Sequence, residues 1–193
     1  MSLLSIIKKD CLRYTHNKYN CVDDDIRGGV VLATCFKSDI FRYVFIYRLG
    51  HWLSREKGVF RLPLLSLVRF IHNIQCHSLG IQISLKENIA EGLMFVHYSN
   101  IVIHCKSIGK HCTIFQGVTI GNSFSRKTFG LPEIGNNVVI FSGAKVLGNI
   151  KVGDNVVIAA NAVVLSDIPN NCIVGGIPAK IISKDLSSVI TNI

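Results

Sequence analysis

From Ile83 to Val164 an aliphatic or aromatic residue returns every six positions. The register reads Ile83, Ile89, Phe95 and Ile101, slips by one to Ile108, Ile114 and Ile120, and resumes after a gap at Ile134, Ile140, Val146, Val152, Ile158 and Val164. Six is neither the 3.6-residue period of a helix nor the alternation of a lone strand, and it marks a repeat architecture. Small or turn-forming residues fill the intervals, as in Ile-Gly-Lys-His-Cys-Thr (108–113), Ile-Gly-Asn-Asn-Val-Val (134–139) and Val-Gly-Asp-Asn-Val-Val (152–157). Gly and Asn tolerate the positive φ that a sharp corner between flat strands requires. Three units per coil would make a triangular prism with stacked Ile and Val along its axis. No coil buries its apolar face alone, so such a domain is stable only as a stack.

The repeat covers residues 81–182 and breaks once. Between Ile120 and Ile134 the spacing is fourteen instead of twelve, and the loop at 121–133 carries Arg126, Lys127 and two aromatic residues. A loop ejected from a rigid stack is a common place for function. Residues 1–80 lack the period. Segments 41–53 and 62–74 have apolar faces interrupted by Arg at helical spacing and predict helices, with Pro63 suited to a first turn. A short leading helix is expected over 2–14, a connection at Gly28-Gly29, and a cap or tail over 183–193. In the 41–53 segment Tyr47, His51 and Trp52 are expected to pack between helices while the arginines reach out to water.

Composition narrows the classes. A chain of 193 residues suffices for one or two domains. Hydrophobic residues make up 49%, yet no uncharged run is long enough for a transmembrane helix, and the N-terminal apolar stretch is too short for a signal peptide. Seven cysteines without a C-x-x-C pair fit reduced thiols in a cytosolic protein, with Cys105, Cys112 and Cys172 as small rung residues. The net charge of +9 is spread along the chain without a Lys/Arg block, which argues against nucleic acid and leaves an anionic ligand, a solubilising surface or peripheral contact with a membrane.

The repeat residues resemble the hexapeptide-repeat acyltransferases, and the resemblance implies a left-handed parallel β-helix behind a small α-helical N-terminal region. Tyr-Arg-Leu-Gly-His-Trp-Leu (47–53) and Glu-Gly-Leu-Met-Phe-Val-His-Tyr-Ser-Asn (91–100) are similar to stretches of the serine acetyltransferases. By that resemblance His97 is the general base. An imidazole largely neutral at pH 7 can take the proton of an alcohol as its oxygen attacks a thioester, with no covalent acyl-enzyme. The resemblance further implies acetyl-coenzyme A as co-substrate, held by Gly121, Asn122, Ser142, Ala160 and Lys180, in a groove between subunits of a homotrimer that could pair into a dimer of trimers. Tyr98, Asn100 and Arg126 are candidates for acceptor contacts. No metal site is expected, since His97, His104 and His111 show no matching acidic partner.

Two departures shape the expected acceptor. Val96 stands where serine acetyltransferases place an aspartate before the base. Gly130-Leu131-Pro132 stands where they place an arginine-histidine-proline run that supplies a cation for the substrate carboxylate and a second histidine. An amino acid needs both its charges paired on binding. These departures point to a neutral sugar hydroxyl, as in the O-acetyltransferases of polysaccharide biosynthesis. Serine O-acetylation and a non-catalytic trimeric scaffold are the alternatives. Asp23, Asp24, Asp25 or a backbone carbonyl are the candidates to orient His97.

Overall fold

The structure is a computed structural model that describes residues 2–15, 28–123 and 129–186, without the Phe60 side chain. Asp23, Asp24, Asp25 and Arg126 lie outside the described residues. Four helices come first: α1 (Leu3–Thr15), α2 (Gly28–Lys37), α3 (Asp39–Arg55) and α4 (Leu62–Leu79). Ser38 caps α3 by accepting from the Phe41 N–H, Pro63 sits in the first turn of α4, and Gly80 ends α4 at φ 64°. The connection expected at Gly28-Gly29 is instead the start of α2. Its apolar run buries Val31 against Ile7, Cys11 and Phe41, and that packing outweighs the poor helix propensity of the two glycines.

Short strands then visit three faces in strict rotation. Face A pairs β1 (Ile81–Ile83), β3 (Ile101–Ile103), β6 (Thr119–Gly121), β9 (Lys145–Leu147) and β12 (Val163–Val164). Face B holds β4 (Ser107–Ile108), β7 (Glu133–Ile134) and β10 (Lys151–Val152), extended by bridges from Ile89 to Ile108 and from Val152 to Ile168. Face C holds β2 (Met94–Phe95), β5 (Thr113–Ile114), β8 (Val139–Ile140), β11 (Val156–Ile158) and β13 (Cys172–Gly175). All of these pairings are parallel; only β14 (Lys180–Ser183) folds back antiparallel on β13.

Each of the thirteen periodic residues is buried, none more than 5% exposed. They align in register from coil to coil, as Ile114 pairs with Ile140 and Ile140 with Ile158. Val118, Ala144 and Ala162 add a second buried column two positions earlier on face A. At the corner between faces B and C, Asn137, Asn155 and Asn171 take φ near 55°, and their side chains form a ladder, Asn137 to Asn155 at 3.0 Å and Asn155 to Asn171 at 2.8 Å.

The helices close the lower end of the stack through polar ties. The Arg48 guanidinium donates to Asp10 at 2.7 and 3.2 Å and to the carbonyls of Ile89 and Ala90, while Asp10 Oδ1 accepts the N–H groups of Gly92 and Leu93 at 2.7 and 3.0 Å. Arg48 is therefore buried and paired, whereas an arginine reaching into water was expected; Asp10, 38 residues away, supplies the counter-charge. The Tyr47 hydroxyl donates to the Glu87 carbonyl at 2.8 Å, and the Tyr43 hydroxyl to the Ile81 carbonyl at 3.1 Å. Trp52 is 41% exposed, outside the inter-helix packing expected of it.

Candidate active site

The corner joining face C to face A repeats in four coils as 96–100, 115–118, 141–144 and 159–162. Backbone hydrogen bonds hold the rows in line: Gly117 N–H to the Ser99 carbonyl at 2.9 Å, Gly143 N–H to Gln116 at 3.0 Å, Asn161 N–H to Ser142 at 2.9 Å and Val163 N–H to Gly176 at 3.0 Å. This edge carries His97 and Tyr98 at its base, then Gln116, Ser142 and Ala160, with the hairpin of Gly176 and Lys180 at its top. The imidazole of His97 is exposed and meets the Phe115 ring edge-on at 6.3 Å, and Phe115 stacks on Phe141 at 4.9 Å. His97 has no hydrogen-bond partner among the described residues, so its ring nitrogens are open to a substrate. Gln116 Oε1 is buried and likewise lacks a partner among the described residues.

The polypeptide positions this base from below. Tyr14 of α1 accepts the Phe95 N–H at 2.8 Å, two residues before His97. Arg13 donates to Thr113 Oγ1 at 2.7 Å and to the Gly92 carbonyl at 3.3 Å. Small residues keep the upper rows of the edge narrow. Gly143 has φ 75°, and a Cβ there would lie 2.1 Å from Asn161 Oδ1.

Gly121 and Asn122 do not share that edge. They lie at the opposite end of face A, where the loop leaves the stack after β6 and returns at Pro132. Asn122 Oδ1 accepts the Gly130 N–H at 2.8 Å and closes the neck of the loop. The expected cofactor residues therefore divide into Ser142, Ala160 and Lys180 on the histidine edge and Gly121 and Asn122 on the loop edge. Asn100 sits at the histidine corner, exposed, with φ 52°.

Sequence reasoning missed three features. Gln116 and the Phe115–Phe141 stack become visible only once the coils are superposed in register. The third is Glu87, buried below the loop edge, whose Oε1 accepts from His104 Nδ1 at 2.8 Å. The acidic partner judged absent for the histidines is thus present for His104, 17 residues upstream on the previous corner. No group of three metal-ligating side chains occurs among the described residues, and no described helix is long and apolar enough to cross a membrane.

Three parallel faces built on a six-residue period are the architecture of a hexapeptide-repeat protein, and the profile described as "Bacterial transferase hexapeptide (six repeats)" matches residues 132–166. The chain is 44% identical over 141 residues to the serine acetyltransferase of Helicobacter pylori strain J99, covering 72% of this chain and 78% of that one. It is 35% identical over 161 residues to the serine acetyltransferase of Synechococcus elongatus, covering 83% of this chain but 63% of the longer relative. The crystal structure of serine acetyltransferase in complex with coenzyme A from Brucella abortus superposes with a TM-score of 0.70 at 25% identity, over 92% of this chain and 66% of that one. The chain belongs to the serine acetyltransferase family. These relatives overturn the expectation of a saccharide acceptor and a role in polysaccharide biosynthesis. That expectation rested on two local departures, at Val96 and at 130–132, and similarity spanning most of the chain outweighs them.

Proposed function

We propose that the protein transfers the acetyl group of acetyl-coenzyme A to the hydroxyl of L-serine, with His97 as general base. The observation that carries this reading is an exposed imidazole, without a hydrogen-bond partner among the described residues, at the foot of an edge whose higher rows are small. The hydroxyl proton passes to His97 as the serine oxygen attacks the thioester carbonyl, the C–S bond breaks, and His97 returns the proton to the leaving sulfur so that the coenzyme departs as a thiol. The pantetheine chain follows the column of Gln116, Ser142 and Ala160, with Gln116 Oε1 as an acceptor for one of its amides and Lys180 near a phosphate. Tyr98 and Asn100 flank the acceptor.

The division of candidate residues between two edges supports assembly in copies, most simply a trimer of left-handed coils in which the histidine edge of one protomer faces the loop edge of the next. Thiol release from acetyl-coenzyme A on addition of L-serine tests the reaction. His97→Ala is expected to lower kcat/KM by about 10²- to 10⁴-fold with the fold intact. Serine-independent thiol release, or full activity in the variant, would remove this reading.

A further inference from the structure

The chain lacks the arginine that its relatives' pattern places at the loop end, so an amino-acid acceptor needs its carboxylate held by something else. We infer that His104, held by Glu87, together with Lys106 forms that carboxylate anchor, and that it serves the His97 of a neighbouring copy. The inference rests on the serine reading and names the residues that select its substrate.

Glu87 is buried, its side chain 4% exposed. One carboxylate oxygen takes His104 Nδ1–H at 2.8 Å and the other takes the Cys105 N–H at 2.9 Å, with the Cys105 thiol at 3.6 Å. The Tyr47 hydroxyl is spent on the Glu87 carbonyl. Among the described residues His104 is the basic side-chain partner of the Glu87 carboxylate. A buried carboxylate is costly without one. Fixed at Nδ1, the ring leaves Nε2 on a side chain that is 62% exposed, where a doubly protonated ring would offer an N–H. This is a donor of fixed direction backed by a buried charge, the arrangement that suits a carboxylate.

Its place in the fold is the neck of the ejected loop. The His104 N–H bonds the Ile120 carbonyl at 2.8 Å, one residue before the loop edge begins, and the Lys106 N–H bonds the Pro132 carbonyl at 2.8 Å, where the loop returns. Lys106 Nζ reaches Asn149 Oδ1 at 3.5 Å, and Asn149 packs against Gly130. The cation is thus moved from the loop end to the coil directly beneath it. His97 and His104 flank β3 at opposite ends, and three strand residues alone advance about 10 Å. Serine spans only about 4 Å from hydroxyl oxygen to carboxylate. One acceptor therefore meets both histidines only where two copies meet.

The test compares L-serine with L-serinamide, which keeps the hydroxyl and ammonium but lacks the carboxylate. The native enzyme is expected to prefer L-serine. His104→Ala, Lys106→Ala and Glu87→Gln should each raise KM for L-serine by about ten-fold or more, with a far smaller change in kcat, and so erode the preference. His104→Gln, which keeps a neutral donor, should recover part of it, and the confinement of the loss to KM for L-serine is what a merely structural role would not give. Co-expressed His97→Ala and His104→Ala subunits should regain, at L-serine below KM, up to about a quarter of native activity through the randomly formed intact interfaces. Unchanged KM and preference in variants of an enzyme that does acetylate L-serine would overturn the anchor alone. Absence of recovery in the mixed oligomers would overturn its sharing between copies. A native enzyme that ignores L-serine would remove the functional reading and the anchor with it.

Discussion

At the scale of single residues, the ties between the helices and the first coil decide where His97 stands. Burial pushes the Asp10 carboxyl above its usual range, and Arg48 with two backbone N–H groups works against that rise. Removing one partner strands the other in a dry site. Asp10→Ala is expected to cost about 3–5 kcal/mol in denaturant unfolding, while replacing both Asp10 and Arg48 by apolar residues should cost much less. Burial also lowers the pKa of His51, His72 and His111 below the ordinary histidine value. The folded state then binds fewer protons than the unfolded chain near and below pH 6.5, so stability is held at neutral pH and lost as the pH falls. Melting temperature is predicted to fall between pH 7 and pH 5.5, and His72→Phe, which keeps the ring stacked on Tyr43 at 5.3 Å, should flatten that slope. A steeper slope in the variant would contradict it. None of these residue-scale partners was legible in the sequence, because Asp10 and Arg48, or Glu87 and His104, meet only across elements.

At the scale of elements, the six-residue period spoke clearly because each rung repeats the same demand: one aliphatic residue inward, one tight corner, one neighbour above. All thirteen anchors lie where the period puts them. Ile140→Ala, in the middle of the column, is expected to cost about 2–5 kcal/mol. Gly143→Ala should also destabilise, since a side chain at φ 75° is strained and its Cβ would press on Asn161. A melting temperature equal to the native one for Gly143→Ala would show that the corner relaxes more than its hydrogen-bond ladder suggests. The helices were less legible. α2 was hidden by its two glycines, and Arg48 carried no local sign of burial. Propensity and spacing describe an isolated element, and here tertiary packing chose otherwise.

At the scale of the whole molecule, the acceptor was the hardest feature to read. Val96 and Leu131 are local changes at a site, and they point toward a sugar; similarity to serine acetyltransferases over most of the chain shows the family and is the ground on which serine is proposed. The residues proposed for binding and catalysis stand on two edges of one prism, so the working unit is proposed to lie between copies. The most direct measurement is a crystal structure of the protein with coenzyme A. The account predicts the sulfur within hydrogen-bonding reach of the His97 imidazole, the pantetheine chain along Gln116, Ser142 and Ala160, and the loop edge of a second copy across the groove. A coenzyme seated on another edge, with its sulfur remote from His97, would contradict it.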